Sequence, residues 1–374
     1  MPDPETVFVL RLFSNYYSKA EIQVPGLEKR EFGFGTEKKI DSRHMAFNSP
    51  AEFRSFLVNN TPLYVSHSVA YYSMPKATPM ERKGWLGSDL VFDLDMEAKG
   101  RYISPAEIAS VRSDAVRLIE EFIIPDFGVD KSEISANFSG NRGFHIHVYD
   151  KRFSKLKGDE RKEIIDYIKG AGLDYESFFS RQEAGSQGGR TVYRESGPAP
   201  SGSGYSGRFA KRVLAALEGE PERLSRIFRS EQKRDAFAEG IRNGNWSLRK
   251  ITPGVDRKLR EMAQELALRT VNIDSGVTLD HTKLIRVADS IHGGTGLRAK
   301  KVPLSELGSF EPMHSALALS SKPMKIIALE EIPALEMGST THGPFAKGQT
   351  AEVPEYFAVY LKMKGSAKLL LGKQ

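Results

Sequence analysis

Cysteine is absent from all 374 residues. That absence excludes disulfides, thiol nucleophiles, Fe–S clusters and every cysteine-ligated zinc site, and with them a secreted disulfide scaffold. Also missing is any apolar run near the ~18 residues that a membrane span needs. Met1 leads into Pro2, Asp3 and Glu5 rather than into a basic leader, so the expectation is a soluble, cytoplasmic protein. A strong charge bias is missing as well. The 54 Lys+Arg against 48 Asp+Glu leave a net charge of +6, a mild tilt toward polyanionic partners. No internal repeat is visible, and 40% hydrophobic with 27% charged residues exclude disordered, collagen-like and coiled-coil classes. The length exceeds what one core usually serves, so two domains, or one with a large insertion, are expected.

Among the elements present, the spacing of Leu10, Phe13 and Tyr17 predicts a helix over residues 5–17. Short strands are expected around Phe32, Phe34 and residues 44–47. Residues 90–96 read as a strand with Phe92, Leu94 and Met96 on one face and Val91, Asp93 and Asp95 on the other. Ser104-Pro105-Ala106-Glu107 opens a helix whose stripe of Ile108, Val111, Ala115, Leu118, Ile119 and Phe122 ends before Pro125. Phe138 to Tyr149 reads as a glycine-bearing turn and a strand with His145, His147 and Tyr149 on one face. From about 150 to 265 helical patterns dominate: Val213, Leu214 and Leu217; Leu224, Ile227 and Phe228; Leu259, Met262, Ala263 and Leu266. A Gly/Ser-rich stretch over 185–207 reads as crossed by no regular element. Strand character returns over 270–273 and 297–302, with a short helix over 278–287 between them. The expected organisation is a discontinuous α/β core (1–150 and 266–374) interrupted by a helical insertion (151–265).

Three constellations carry chemistry. Asp93 and Asp95 share a strand face, the platform that two-metal phosphoryl chemistry requires of hard oxygen ligands; the plain alternative is a solvated strand end. Ser139-Gly140-Asn141-Arg142-Gly143-Phe144-His145 combines a turn whose backbone N–H groups can approach an anion with a hydroxyl, a guanidinium and an imidazole. It reads as a triphosphate clamp, against the alternative of a tight hairpin with a satisfied histidine. The third runs from Asp274 through Arg286 to His292-Gly293-Gly294-Thr295-Gly296. Asp280 competes with Asp274 as a further carboxylate; its place beside Thr278 favours a helix cap for Asp280 and the metal role for Asp274.

In this order the constellations resemble the small catalytic subunit of the archaeal and eukaryotic type of DNA primase. The family's Asp-x-Asp motif matches Asp93 and Asp95 within the segment from Gly84 and Trp85 to Asp95, whose lead-in is similar to that of archaeal members. Its Ser-Gly-x-Arg-Gly-x-His motif matches Ser139 through His145, and its third motif matches Asp274, Val277, Thr278, Leu284, Ile285, Arg286, Ser290, His292, Gly293, Thr295 and Gly296. Arg30-Glu31-Phe32-Gly33-Phe34, Arg43-His44, Tyr71-Tyr72 and Gly204-Tyr205-Ser206-Gly207-Arg208 extend the likeness from the first helix to about Val302.

The resemblance implies an α/β (α+β) mixed-sheet catalytic core and template-directed primer synthesis by two-metal nucleotidyl transfer. It implies two Mg²⁺ or Mn²⁺ ions on Asp93, Asp95 and Asp274, and a triphosphate held by Ser139, Arg142, His145, Arg286 and His292, with Arg43 a further candidate for the nucleotide. His147 reads as structural. Implied partners are an Fe–S large subunit, a single-stranded DNA template, NTP or dNTP, and the replication machinery at the nucleoid. One departure stands out: archaeal relatives usually carry a zinc-binding knob after the Asp-x-Asp strand, whereas residues 97–139 hold neither Cys nor His, so no zinc is expected there. The alternatives are a superfamily polymerase that extends ends in repair, a non-catalytic primase-like subunit, and a metal-dependent phosphohydrolase. Charge is unevenly placed: residues 151–265 carry 24 Lys+Arg against 17 Asp+Glu, while the rest, with 30 against 31, is nearly neutral.

Overall fold

A computed structural model describes residues 3–96, 100–188, 190–219, 228, 230–268 and 271–372. The chain divides into two units: Met1–Val116, Val129–Lys162 and Asn272–Gln374 form one, Arg117–Gly128 and Glu163–Val271 the other.

The first unit opens with the helix Pro4–Lys19, capped by Asp3, whose carboxylate accepts from the N–H groups of Glu5 and Thr6, satisfying donors with no partner inside the helix. Its buried stripe is Val9, Phe13 and Tyr17. Two four-stranded sheets follow. One runs Leu284–Arg286, Tyr64–Ser68, Phe32–Gly35, Ser42–Met45; the other runs Lys301–Val302, Ile134–Phe138, Phe144–Val148, Leu90–Leu94. Val69, Val91, Val277 and Ile285 pack together as one buried cluster. A three-stranded sheet of Thr350–Pro354, Pro323–Ala328 and Ala367–Leu369 accompanies the helix Glu355–Met363.

Instead of the mixed sheet expected, every strand pair among the described residues is antiparallel. The reason is topological. Leu90–Leu94 and Ile134–Phe138 point the same way after their helical crossover, but the hairpin return Phe144–Val148 lies between them and pairs with both. Each adjacent pair is thereby antiparallel.

In the second unit, the segment 117–128 is held by residues far along the chain. Arg208 donates to the Glu121 carbonyl and pairs with Asp126 at 2.7 Å, and the Tyr167 hydroxyl donates to Asp126 at 2.8 Å. Among the described residues its helices include Gly204–Gly219, Glu231–Arg242, Leu248–Ile251 and Val255–Leu268. Trp246, fully buried, stacks on Phe209 at 5.6 Å. The glycine-rich stretch does carry regular structure: Ser180–Gln187 and Arg190–Ser196 form a long hairpin with Gln187 opposite Arg190. Gly188, at φ +60°, turns the chain after Ser180–Gln187, and a composition-based reading mistakes this glycine for loop. Leu224 and Ile227 of the expected middle helix, and Thr270 of the expected strand, lie outside the described residues.

Residues 278–287 are not a helix. The helix is Ser275–Leu279, a turn at Asp280 follows, and Leu284–Arg286 joins the sheet beside Tyr64–Ser68. Asp280 ends the helix because its carboxylate accepts from the Thr282 N–H at 2.9 Å and the Thr282 hydroxyl at 2.7 Å, a local turn that competes with helical hydrogen bonding.

Candidate active site

Sheet register assembles the site. Asp93 stands opposite His145, which stands opposite Asn137, which stands opposite Lys301; with a two-residue period these side chains share one face. Val91, His147 and Ser135 form the next row of that face. At the free edge of Leu90–Leu94 the chain returns after nearly 180 residues: the Asp274 N–H donates to the Asp93 carbonyl at 2.8 Å. Asp274 is the N-cap of Ser275–Leu279, its carboxylate accepting from the Gly276 N–H at 2.8 Å. The third carboxylate, Asp95, follows the strand end and accepts from the Met96 N–H at 2.9 Å.

The electrostatics of the carboxylates are unbalanced. Burial, and then the charge of Asp274, push Asp93 up to about 6. Asp95 is raised as well, chiefly by burial. Opposing these effects are the cations Lys39, Lys283 and Arg286. Among the described residues no three His, Cys, Asp or Glu side chains form a ready-made metal cage. A Mg²⁺-type ion takes hard oxygen ligands, commonly one or two carboxylates with water and substrate phosphate completing the shell. Like-charged hard oxygens that a divalent cation would neutralise therefore fit such an ion.

Three donor groups flank them. His145, buried, has its Nε2 3.6 Å from Asp93 Oδ1; burial, with Arg286 and Lys39 nearby, depresses it to about 3, so it is neutral. Arg286 lies 5.4 Å from the Tyr64 ring centre, and its buried Nη1 has no hydrogen-bond partner among the described residues. Burial lowers it to about 10, still charged at neutral pH. His292 packs edge-on against Tyr64 at 5.7 Å, and its Nδ1 accepts from the Gly294 N–H at 3.0 Å. The proton of this imidazole, held neutral mainly by burial, is thus on Nε2, free to donate to an anion.

The Ser139–Gly143 turn touches both neighbouring motifs. Ser139 Oγ accepts from the Gly143 N–H at 3.1 Å and the Asn141 N–H at 3.4 Å, leaving its own proton to donate outward. Gly140 has φ +84°, and a Cβ there would lie 2.6 Å from His292 Cβ; the Gly140 carbonyl accepts from Thr295 Oγ1 at 2.6 Å. A Cβ on Gly143 would stand 2.5 Å from the Leu94 carbonyl oxygen and 3.3 Å from Asp95 Cβ.

Two expected site residues are engaged elsewhere. Arg142 donates through Nη2 to the carbonyls of Gly100 at 2.5 Å and Tyr102 at 3.0 Å, and its Nε is 3.6 Å from Glu107. Arg43 donates to Glu31 Oε1 at 2.9 Å, in a cluster where Lys83 also meets Glu31. His147 is 1% exposed with neither ring nitrogen hydrogen-bonded among the described residues; it stacks on Tyr149 at 5.9 Å. The motifs also pass over Lys39, on the turn that Asp41 ties through the N–H groups of Thr36, Glu37 and Lys38, and Lys364, at the end of Glu355–Met363. Neither lies in a chemical motif; the only sequence signal is a basic residue near a turn or a helix end.

The family model for the DNA primase small subunit matches residues 92–303, from the Asp-x-Asp strand through the His292 loop. Among curated proteins, the chain is 32% identical to the DNA primase small subunit PriS of Methanothrix thermoacetophila, over 99% of this chain and 100% of that one. It is 31% identical to the protein of the same name from Methanococcoides burtonii, over 98% and 99%. With that of Archaeoglobus fulgidus it shares 30% over 96% and 98%.

Proposed function

The chain belongs to the DNA primase small-subunit family, the catalytic subunit that makes primers by nucleotidyl transfer, and from that premise we propose that Asp93, Asp95 and Asp274 are its metal-binding carboxylates. Catalysis in this family depends on divalent metal, and the name small subunit implies a large-subunit partner. The finer reading is two Mg²⁺ or Mn²⁺ ions, a single-stranded DNA template, nucleoside triphosphates as substrate and an Fe–S large subunit. The observation that carries it is the register by which Asp93 meets His145 on one side and Asp274 on the other.

When bound, the ions would make the primer 3′-hydroxyl a better nucleophile and offset charge on the α-phosphate and the leaving oxygen. The remaining work falls to this chain's own side chains. Arg286, with a buried unpaired Nη1, supplies a fixed positive charge for the triphosphate. Nε2–H of His292 and the outward Ser139 hydroxyl add neutral donors, and His145 sits beside Asp93 without competing for its charge. Preorganised donors of this kind stabilise the charge that develops as pyrophosphate departs. Arg142 and Arg43 are assigned to the same triphosphate through guanidinium donors beyond those already engaged, since each guanidinium has five.

The test is primer synthesis from nucleoside triphosphates on single-stranded DNA with Asp93→Ala and Asp274→Ala. Both, folded normally, lose synthesis; parental rates in either would remove that residue from the site. A repair-type extension activity would show as elongation of a supplied primer without any de novo product.

A further inference from the structure

Lys364 lies beyond the matched family region and beyond every motif. It caps the C-terminus of Glu355–Met363, its N–H donating to the Tyr360 carbonyl at 3.0 Å, and its Nζ lies 5.6 Å from the Tyr360 ring centre. Two independent contacts carry this helix end to the triphosphate side of the site. Val359 packs on Gly296 so closely that a Cβ there would lie 3.1 Å from its Cγ1, and Gly296 closes the loop that carries His292. The Tyr360 hydroxyl accepts from the Ile103 N–H at 3.0 Å, and the adjacent Tyr102 carbonyl accepts from Arg142 at 3.0 Å. Lys364 therefore stands between the Arg142 turn and the His292 loop. Among the described residues its ammonium makes no ion pair and no hydrogen bond, although it is half-buried.

Burial, and then the Arg142 charge, lower its affinity for a proton to about 8. A cation at a helix C-terminus is ordinarily favourable, but that role requires neither burial nor a second cation alongside. Glu107, 3.6 Å from Arg142 Nε, pairs with the guanidinium and leaves the Lys364 ammonium unpaired; an unpaired cation beside another describes a place for a polyanion. We propose that Lys364 is a direct ligand of the terminal phosphates of the incoming nucleoside triphosphate, completing a clamp with Arg142 and His292. The inference rests on the nucleotide-site reading above and adds to it a substrate-binding residue.

Binding is measured on the full chain, with Mg²⁺ at fixed excess, for GTP, GMP and inorganic tripolyphosphate. Replacement by methionine, Lys364→Met, keeps the stem and removes the charge. Loss of a charge-assisted hydrogen bond predicts about ten- to hundredfold weaker GTP and tripolyphosphate binding, with GMP binding unchanged. Lys364→Arg restores part of the loss. Unchanged GTP and tripolyphosphate affinity in Lys364→Met would overturn the proposal, as would equal weakening toward GMP. A thermal melt checks folding; were Lys364→Met unfolded, Lys364→Arg and Lys364→Gln take its place with the same selectivity criterion. Asp93→Ala is assayed alongside for primer synthesis. If it abolishes synthesis while Lys364→Met binds triphosphate normally, only the clamp inference falls; if it synthesises normally, the metal-site reading falls.

Discussion

Gly143→Ala tests how tightly the Ser139–Gly143 turn is built against the carboxylates. The new methyl group would meet the Leu94 carbonyl oxygen at 2.5 Å, with Asp95 Cβ and Cγ at 3.3 Å behind it. An ordinary carbon–oxygen contact is roughly 3.3 Å, so the turn or the strand end must retreat by about 0.8 Å. Overpacking of that kind costs about 1–3 kcal/mol of stability. A displacement near 1 Å at reacting groups lowers the rate about a hundredfold. Urea unfolding gives the first quantity, and kcat for primer synthesis at saturating template and nucleotide gives the second. Gly308→Ala is the control, because a Cβ there meets nothing within 4 Å, and both quantities stay at parental values. A stably folded Gly143→Ala with kcat within about twofold of the parent would refute the claim that this turn positions the carboxylates.

Three further outcomes are expected. Arg30, fully buried, holds Asp89 at 2.6 Å and the Ser68 carbonyl at 2.7 Å, so Arg30→Met strands a carboxylate that burial already raises and lowers unfolding free energy by about 3–5 kcal/mol; a loss under about 1 kcal/mol would contradict a structural role for this pair. Burial depresses Lys364 to about 8, so its charge, present at pH 7, is lost as pH rises through that value. The KM for nucleoside triphosphate should rise between pH 7 and 9 in the parent and stay flat in Lys364→Met; the same slope in both would assign the titration to another group. In the 163–271 unit, reversing the exposed charges Lys233 and Arg257 should flatten the log–log salt dependence of template binding by about 0.9 for each phosphate the protein no longer neutralises, and an unchanged slope would place the template elsewhere.

The motif residues were legible because their chemistry is local. Asp-x-Asp on a strand, a Ser-Gly turn before His145 and a glycine-rich loop after His292 each declare a residue type at a spacing. Period-two alternation gave the faces of residues 90–94 and 144–148, since buried strands leave little choice of register. Residues 278–287 misled because Val277 and Thr278 follow a good cap, while the side chain that stops the helix, Asp280, is also a favoured cap. The hairpin 180–196 was hidden by composition, its glycines being turn chemistry rather than loop filler. Strand order was out of reach: nothing in residues 90–148 states that the third strand lies between the first two. Lys39 and Lys364 escaped for the same reason, as their meaning depends on which turn and which helix end fold over Asp93 and Arg142.

The proposed metal site takes Asp274, not the nearby Asp280, as its third carboxylate beside Asp93 and Asp95. Asp274 bridges to the Asp93 backbone, whereas Asp280 lies at the opposite end of Ser275–Leu279, in the Thr282 turn. The direct measurement is Mn²⁺ binding to the full chain, followed by electron paramagnetic resonance and paired with primer synthesis, for Asp274→Ala and Asp280→Ala. Asp274→Ala should lose Mn²⁺ affinity and primer synthesis together, with Asp280→Ala retaining both. Parental Mn²⁺ binding and synthesis in Asp274→Ala, or their loss in a folded Asp280→Ala alone, would contradict the account.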